Sequence, residues 1–162
     1  MKVLVSALGF CLAAAAIAVP TAQPGAAGVG NSICTAAPNS FSATGAVITS
    51  AGSDSVAAND LSFDASGLPP NELGILLAGR VGPQAPFRDG WLCLDMGPGV
   101  LRLNKFLSDG SGQASVLLDH NVGTAGLLLP GQTRVFHILY RDCMSQASGI
   151  NSTNGIEVTF TP

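Results

Sequence analysis

Hydrophobic and polar residues alternate in short runs along most of this chain. In the run 61–66, Leu61, Phe63 and Ala65 lie on one side of an extended backbone, and serine or aspartate residues lie on the other. The run 156–161 (IEVTFT) alternates in the same way. A period of two residues is typical of β-strands that bury one face, and these runs therefore predict strands.

Turn-forming residues separate the runs and set the strand boundaries. Gly, Pro, Asn and Asp collect in segments such as 67–71 (GLPPN) and 108–112 (SDGSG), where proline fixes φ and glycine adopts positive φ at little cost. No amphipathic pattern of about ten or more residues predicts a helix. The predicted strands are 46–51, 61–66, 73–80, 91–95, 100–107, 113–119, 133–142 and 156–161. We therefore expect an all-β protein, a two-sheet antiparallel β-sandwich of the jelly-roll or immunoglobulin-like kind with about eight strands.

One predicted strand is apolar on both sides, and another is assigned two faces of which one belongs to the core. The run 73–80 (LGILLAGR) is almost entirely apolar, which predicts a central strand covered on both faces. The run 133–142 has one face with Val135, His137 and Leu139 and another with Phe136, Ile138 and Tyr140. Three sets are expected to form one core between the two sheets: Leu61, Phe63 and Ala65; Phe136, Ile138 and Tyr140; Ile156, Val158 and Phe160.

The first thirty residues differ from the rest in composition. Lys2 precedes the uncharged run 3–19, and Ala16 and Ala18 form an A-x-A-like cleavage site, which predicts a signal peptide over residues 1–18. A retained membrane anchor is the alternative, because about 17 apolar residues are near the lower limit for a spanning helix. Residues 19–32 are predicted to be a flexible linker and 33–162 the β-sandwich domain. The mature protein is thus expected to be secreted, extracellular or periplasmic, without membrane insertion after cleavage.

Charged residues are scarce, and acidic ones are in slight excess. The chain has seven Lys and Arg residues against ten Asp and Glu residues, a net charge of −3. Nucleic acids and anionic membranes bind proteins through basic patches, so this composition argues against both. The expected partner is an unidentified extracellular protein or glycan.

Residue types that carry chemistry are few and scattered. His120 and His137 are the two histidines, and neither lies in a hydrolase motif such as G-x-S-x-G or H-E-x-x-H. The segments 59–60 and 108–110 could supply oxygen ligands to calcium, but they lack the dense spacing of a dedicated loop. We expect no catalytic residue and no cofactor, and a structural calcium ion is the weaker alternative.

The most pointed polar cluster is Arg141, Asp142 and Asn151. Arg141 could clamp a carboxylate or sulfate through two parallel hydrogen bonds. The favoured interpretation is that Arg141 instead pairs with a nearby carboxylate and holds the loop that carries Asn151. Residues 151–153 also match the N-glycosylation pattern, which is interpreted here as a turn.

From Cys34 to its C-terminus the chain resembles a family of uncharacterised secreted bacterial β-sandwich domains, found alone or at the C-terminus of extracellular proteins. Six collinear segments carry the resemblance: 34–40 (CTAAPNS), 52–61 (GSDSVAANDL), 68–76 (LPPNELGIL), 86–93 (PFRDGWLC), 136–142 (FHILYRD) and 151–160 (NSTNGIEVTF). The chain departs from the family at His137, Leu139 and Cys143, where Gln, Trp and Ala or Pro are usual. The resemblance implies a secreted β-sandwich and no particular chemistry.

The resemblance also bears on the cysteines. Three remain once Cys11 leaves with the signal peptide, and an exported chain with three cysteines is expected to hold one disulfide and one thiol. The family has a cysteine at positions 34 and 93, which implies a Cys34–Cys93 disulfide and an unpaired Cys143.

The expected function is that of a non-catalytic extracellular or cell-surface module for binding or structure, with an unknown ligand. A secreted hydrolase of unrecognised type and a carbohydrate-binding protein with a narrow site are the alternatives. Trp91 and Tyr140 are the only tryptophan and tyrosine, which argues against a broad platform for stacking sugars.

Overall fold

The computed structural model describes residues 28–144 and 148–162, and within them the protein is all-β. The predicted signal peptide 1–18 and most of the predicted linker 19–32 lie outside the described residues. The strands are β1 (Asn31–Ile33), β2 (Val47–Ala51), β3 (Ser62–Ser66), β4 (Leu73–Gly79), β5 (Val81–Phe87), β6 (Gly90–Leu94), β7 (Leu101–Leu107), β8 (Ala114–Leu117), β9 (Thr133–Arg141), β10 (Ile150–Ser152) and β11 (Gly155–Thr159). A single-turn 3₁₀ helix spans Gly123–Leu127. No helix of the described part is long and apolar enough to cross a membrane.

All eight predicted strands are present, and the described part contains three more. The additional strands β1 and β10 have only three residues each, which is too short for alternation to be seen. Strand β5 contains Pro83 and Pro86, which lack the N–H that a central strand needs. The two prolines are tolerated because, among the described strands, β5 pairs with β6 alone. The pairing register also shifts between Val81 and Ala85. The prediction of about eight strands is therefore too low.

The strands form three antiparallel sheets. The largest has the order β1-β11-β9-β4-β7, and β10 also pairs with β9. A second sheet has the order β2-β3-β8, and β5 and β6 form a two-stranded ribbon. Strands β10 and β11 follow the same edge of β9, since Asn151 pairs with Tyr140 and Ile156 pairs with Phe136. They therefore behave as one strand that is interrupted at residues 153–154.

The six-stranded and three-stranded sheets share one buried core. The ring of Phe63 on β3 lies 4.6 Å from the ring of Phe136 on β9, and Phe160 meets Phe136 edge-on at 6.1 Å, measured between ring centroids. The three sets of residues predicted to point inward are all buried there. Each large apolar side chain so buried stabilises the fold by roughly 1.5–3 kcal/mol.

The opposite face of the large sheet is covered over only half its area. On β4, Leu76 and Ala78 pair with residues of the core, so Leu77 and Gly79 face the other way, toward the β5–β6 ribbon. A Cβ atom at Gly79 would lie 2.8 Å from Cγ of Leu94, and this close approach requires glycine. The predicted two-sided burial of 73–80 is correct only at this end, because the ribbon leaves the start of β4 uncovered.

Candidate functional site

The disulfide joins the chain after β1 to the central part of β6. Cys34 and Cys93 are bonded, with their Cα atoms 6.1 Å apart, and Cys143 is free and exposed. Both implications of the resemblance for the cysteines are confirmed. The bond closes a loop with a sequence separation of 59 and holds the β5–β6 ribbon to the rest of the protein.

His137 is a buried structural residue. Its Nε2 atom accepts a hydrogen bond from the backbone N–H of Cys93 at 3.3 Å, and its Nδ1 atom lies 3.2 Å from the carbonyl oxygen of Thr153. One neutral tautomer, with the proton on Nδ1, satisfies both contacts. Burial lowers the pKa of His137 to about 4, against a smaller raising effect of the Thr153 carbonyl. Both ring nitrogens are thus engaged in holding the ribbon to β9.

His120 lies in a different environment, against the core. Its ring meets the ring of Phe160 edge-on, with 5.3 Å between the centroids. Neither ring nitrogen has a hydrogen-bond partner among the described residues. A hydrolytic triad needs a histidine bonded both to its nucleophile and to a carboxylate, and His120 does not have those contacts.

Residues 151–154 (NSTN) form a buried polar segment where β10 gives way to β11. Each of the four side chains bonds to the backbone of a different part of the protein. The bonds are from Asn151 Nδ2 to Pro38 O (2.9 Å), from Ser152 Oγ to Trp91 O (2.6 Å), from Ile138 N to Thr153 Oγ1 (3.1 Å), and from Ile48 N to Asn154 Oδ1 (2.7 Å). The N-glycosylation pattern therefore lies inside the fold, and the turn interpretation of 151–153 is wrong.

Two members of the predicted polar cluster hold the loop at residues 38–40. The carboxylate of Asp142 is buried and accepts hydrogen bonds from Ser40 N at 3.2 and 3.3 Å, and Asn151 donates to the carbonyl of Pro38. Arg141 does not join them. It is exposed at the end of β9, and no carboxylate of the described residues forms the ion pair that was expected for it.

The hydroxyl of Tyr140 belongs to the same loop anchor. It accepts a hydrogen bond from Nδ2 of Asn39 at 2.9 Å. Burial, with a further contribution from the negative charge of Asp142, raises the pKa of Tyr140 to about 12, although the bond from Asn39 opposes the shift. The phenol therefore stays protonated and serves as a structural group.

In the two segments considered as calcium loops, the aspartate carboxylates accept hydrogen bonds from nearby residues of the chain. Asp60 accepts hydrogen bonds from the hydroxyl and the backbone N–H of Ser53, and these hold its pKa below the usual value. Asp109 accepts from the backbone of Gln113 and from Ser111, which lowers its pKa in the same way. No group of three or more His, Cys, Asp or Glu side chains is placed to hold a metal ion in residues 28–144 and 148–162.

An apolar groove occupies the uncovered half of the large sheet. It has a volume of about 330 Å³, and Leu73, Ile75, Leu139 and Ile150 supply its apolar side chains. Ile75 on β4 pairs with Lys105 on β7 and with Leu139 on β9, so the three residues form one row across three strands. These positions belong to the face of the sheet that points away from the core. We call this site the β4–β9 groove.

The cationic residues of the β4–β9 groove stand on either side of its floor. Lys105 lies on β7, and Arg141 lies on β9, where it pairs with Ile150 on β10. Strands β7 and β9 both border β4, which places the two backbones about 10 Å apart. No acidic side chain is among the described residues that line the groove. The site therefore combines a hydrocarbon surface with positive charge.

Sequence reasoning identified Arg141 but not the rest of this groove. Leu73 and Ile75 belong to the run 73–80, which was expected to be covered on both faces, and Leu139 belongs to the face of 133–142 opposite the predicted core residues. The available signal was the pair of charges Arg102 and Lys105 inside a strand that is otherwise rich in leucine. Which half of β4 stays open depends on where the β5–β6 ribbon docks, and β5 itself was not predicted.

Comparisons of the chain with protein-family models, with curated proteins and with solved structures found no match.

Proposed function

We propose that this protein is an exported, non-catalytic binding module and that the β4–β9 groove is its ligand site. The observation that carries the proposal is a difference in exposure between polar and apolar side chains. Polar groups capable of chemistry, such as His137, Asp142 and Asn151, are buried and bonded to backbone atoms of the fold. Apolar side chains are instead left accessible on the uncovered half of the sheet.

The accessible apolar surface supports a binding role. Leu73 is 48% exposed and its cross-strand partner Leu107 is 59% exposed, although both sit on a sheet whose other half is covered. These two side chains leave apolar surface open to a ligand at the edge of the groove. The groove volume of about 330 Å³ falls within the range of about 300–1,000 Å³ usual for small-molecule sites.

Two features support export. Residues 1–18 have the composition of a signal peptide, and the Cys34–Cys93 disulfide is of a kind that persists in oxidising compartments. The resemblance to secreted bacterial domains agrees with both. We propose that the mature protein acts in the periplasm, at the cell surface or outside the cell.

Chemical-shift mapping tests the proposal. The protein purified from expression of the full chain, labelled with ¹⁵N, is titrated with mixtures of amphiphiles, sugars and short peptides. We expect saturable shifts centred on the backbone amides of Ile75, Lys105 and Leu139, and their loss in Leu139→Gln. Shifts centred on His120 or His137, together with turnover of ester or glycoside substrates, would favour the hydrolase. Shifts centred on any other surface would equally overturn the groove as the site.

A further inference from the structure

We infer that the ligand of the β4–β9 groove is an anionic amphiphile, an alkyl chain that ends in a carboxylate. The inference rests on the proposed function and adds the chemical class of the ligand. It is carried by the charge and the shape of the groove together.

The charge of the groove is opposite to that of the whole chain. The chain carries a net charge of −3, yet two of its seven basic residues, Lys105 and Arg141, line this one groove. The nearest carboxylate along β9 is that of Asp142, which is buried and engaged by the backbone of Ser40. The two cations attract an anion to this groove, although one carboxylate, that of Asp89, lies next to it and accepts hydrogen bonds from Ser148 N and Gly149 N beside Ile150.

The geometry allows both cations to meet one carboxylate. Lys105 lies in the row of Ile75 and Arg141 two residues further along β9, so their backbones are about 12 Å apart on opposite sides of β4, and both side chains are long enough to converge between them. Arginine binds a carboxylate through two parallel hydrogen bonds, and the aliphatic stem of lysine covers apolar surface while its ammonium group stays in water. Lys105 thus serves as a wall for the alkyl chain and as a partner for its head group.

The floor of the groove suits a short alkyl chain. Ile75 and Leu139 lie side by side in the row that crosses the sheet, and Leu73 and Ile150 extend the apolar surface. At the other end, Leu77 is buried beneath the β5–β6 ribbon, so the floor stops there. The groove thus has an apolar floor with one cation on each side, which matches a molecule with a single alkyl tail and a single acidic head.

Other occupants match the charge less well. A second copy of the chain, docked through the same face, would bring two pairs of like charges together. An anionic membrane is attracted by clusters of about four to eight basic residues, and the groove is lined by two. A neutral sugar would gain little from the apolar floor.

Calorimetric titration with three ten-carbon probes tests the inference. The delipidated protein, from the full chain, is titrated with decanoate, decanol and decyltrimethylammonium. We expect decanoate to bind one to one, about tenfold more tightly than decyltrimethylammonium. Lys105→Gln and Arg141→Gln should each weaken decanoate about three- to tenfold and leave decanol within about twofold. Arg80→Gln is the matched control, because it removes one exposed positive charge at the far end of β4 and should change neither affinity by more than about twofold.

Leu139→Gln separates the inference from the proposed function. It should weaken decanoate and decanol alike by about tenfold, because both use the apolar floor. If all three probes bind equally and Leu139→Gln weakens them all, the groove is a binding site but the anionic preference is wrong. If decanoate binds undiminished to Leu139→Gln, both proposals fail. If decanoate does not bind at all, the ligand class is wrong, and the shift-mapping titration alone decides the groove.

Discussion

The Nε2 atom of His137 accepts a hydrogen bond from the backbone N–H of Cys93, over 3.3 Å. This contact joins β9 to the disulfide-bonded strand of the ribbon that covers half of the large sheet. It exists only while Nε2 is unprotonated. A doubly protonated imidazole would turn Nε2 into a donor that faces another donor, in a site from which water is excluded.

Acid should therefore destabilise the protein through His137. Its pKa is lowered from 6.5 to about 4 in the folded state, so the unfolded chain binds the proton more tightly. The contribution of His137 to stability is fully present above pH 6.5 and is lost as the pH falls toward about 4. The shift corresponds to roughly 3 kcal/mol. Urea unfolding measured across this pH window should show that decline.

His137→Gln is the variant that isolates this effect. The unfolding free energy of this variant should fall less steeply than that of the parent as the pH drops from 6.5 to 4, because the contribution of His137 is absent. This comparison of slopes does not depend on the absolute stability of the variant. His120→Gln, which removes the other histidine, is the comparison and should keep the contribution of His137 to that slope. An unchanged pH profile in His137→Gln would show that the buried imidazole does not set the acid response.

Asn154 should be the most costly polar residue to replace. The backbone N–H and C=O of one residue in an antiparallel strand point to the same edge of that strand. At Ile48 both groups bond to the side chain of Asn154: the N–H donates to Oδ1 at 2.7 Å, and the carbonyl oxygen accepts from Nδ2 at 3.2 Å. Asn154→Ala leaves both groups of the buried Ile48 without this partner, and we expect a loss of about 2–4 kcal/mol. Asn104 is exposed and makes one bond, so Asn104→Ala should cost about 1 kcal/mol or less. Equal losses in the two variants, measured by urea unfolding, would contradict the bridging role of Asn154.

The disulfide should stabilise the protein without involving the third cysteine. Closing a loop of this length contributes on the order of 4 kcal/mol in the chain-entropy model. The double variant Cys34→Ala/Cys93→Ala should lose about that amount, whereas Cys143→Ala should unfold at the same urea concentration as the parent. A non-reducing peptide map that joined Cys143 to either partner would refute the pairing.

The shared core should be sensitive to the loss of Phe160. Its side chain is 2% exposed and contacts both Phe136 and His120. Phe160→Ala should cost about 3–5 kcal/mol by thermal or urea unfolding, because it removes buried surface and leaves a cavity. Phe41→Ala, at a ring that is 51% exposed, should stay within about 1 kcal/mol of the parent. A small effect of Phe160→Ala would mean that the two sheets do not depend on this contact.

Local pattern predicted eight of the eleven strands of the described residues, because these carry their own alternation or a continuous apolar run. Leu61, Phe63 and Ala65 could be assigned to the core from their spacing alone, and they are buried there. The buried role of Asn154 could not be foreseen in this way, since its partner Ile48 is 106 residues away and an isolated asparagine indicates a turn.

The β4–β9 groove depends on contacts that are still more distant in sequence. Leu73 and Ile75 look like residues of a fully covered strand in the sequence, and the alternation of 133–142 shows only that Leu139 lies opposite the core face. They become a surface only because β7 and β9 border β4 and the β5–β6 ribbon stops at Leu77. The ribbon was not predicted because its strand β5 contains two prolines and does not look like a strand in the sequence. The resemblance implied the Cys34–Cys93 disulfide from the sequence. The uncovered half of the sheet could not be predicted, because it depends on how the three sheets are arranged.

A crystal structure of the protein bound to decanoate tests the binding role of the β4–β9 groove most directly. The alkyl chain should lie on Ile75 and Leu139, with the carboxylate within hydrogen-bonding distance of Arg141 and Lys105. Decanoate bound at any other place, with the β4–β9 groove unoccupied at saturating concentration, would contradict the assignment of this groove as the ligand site.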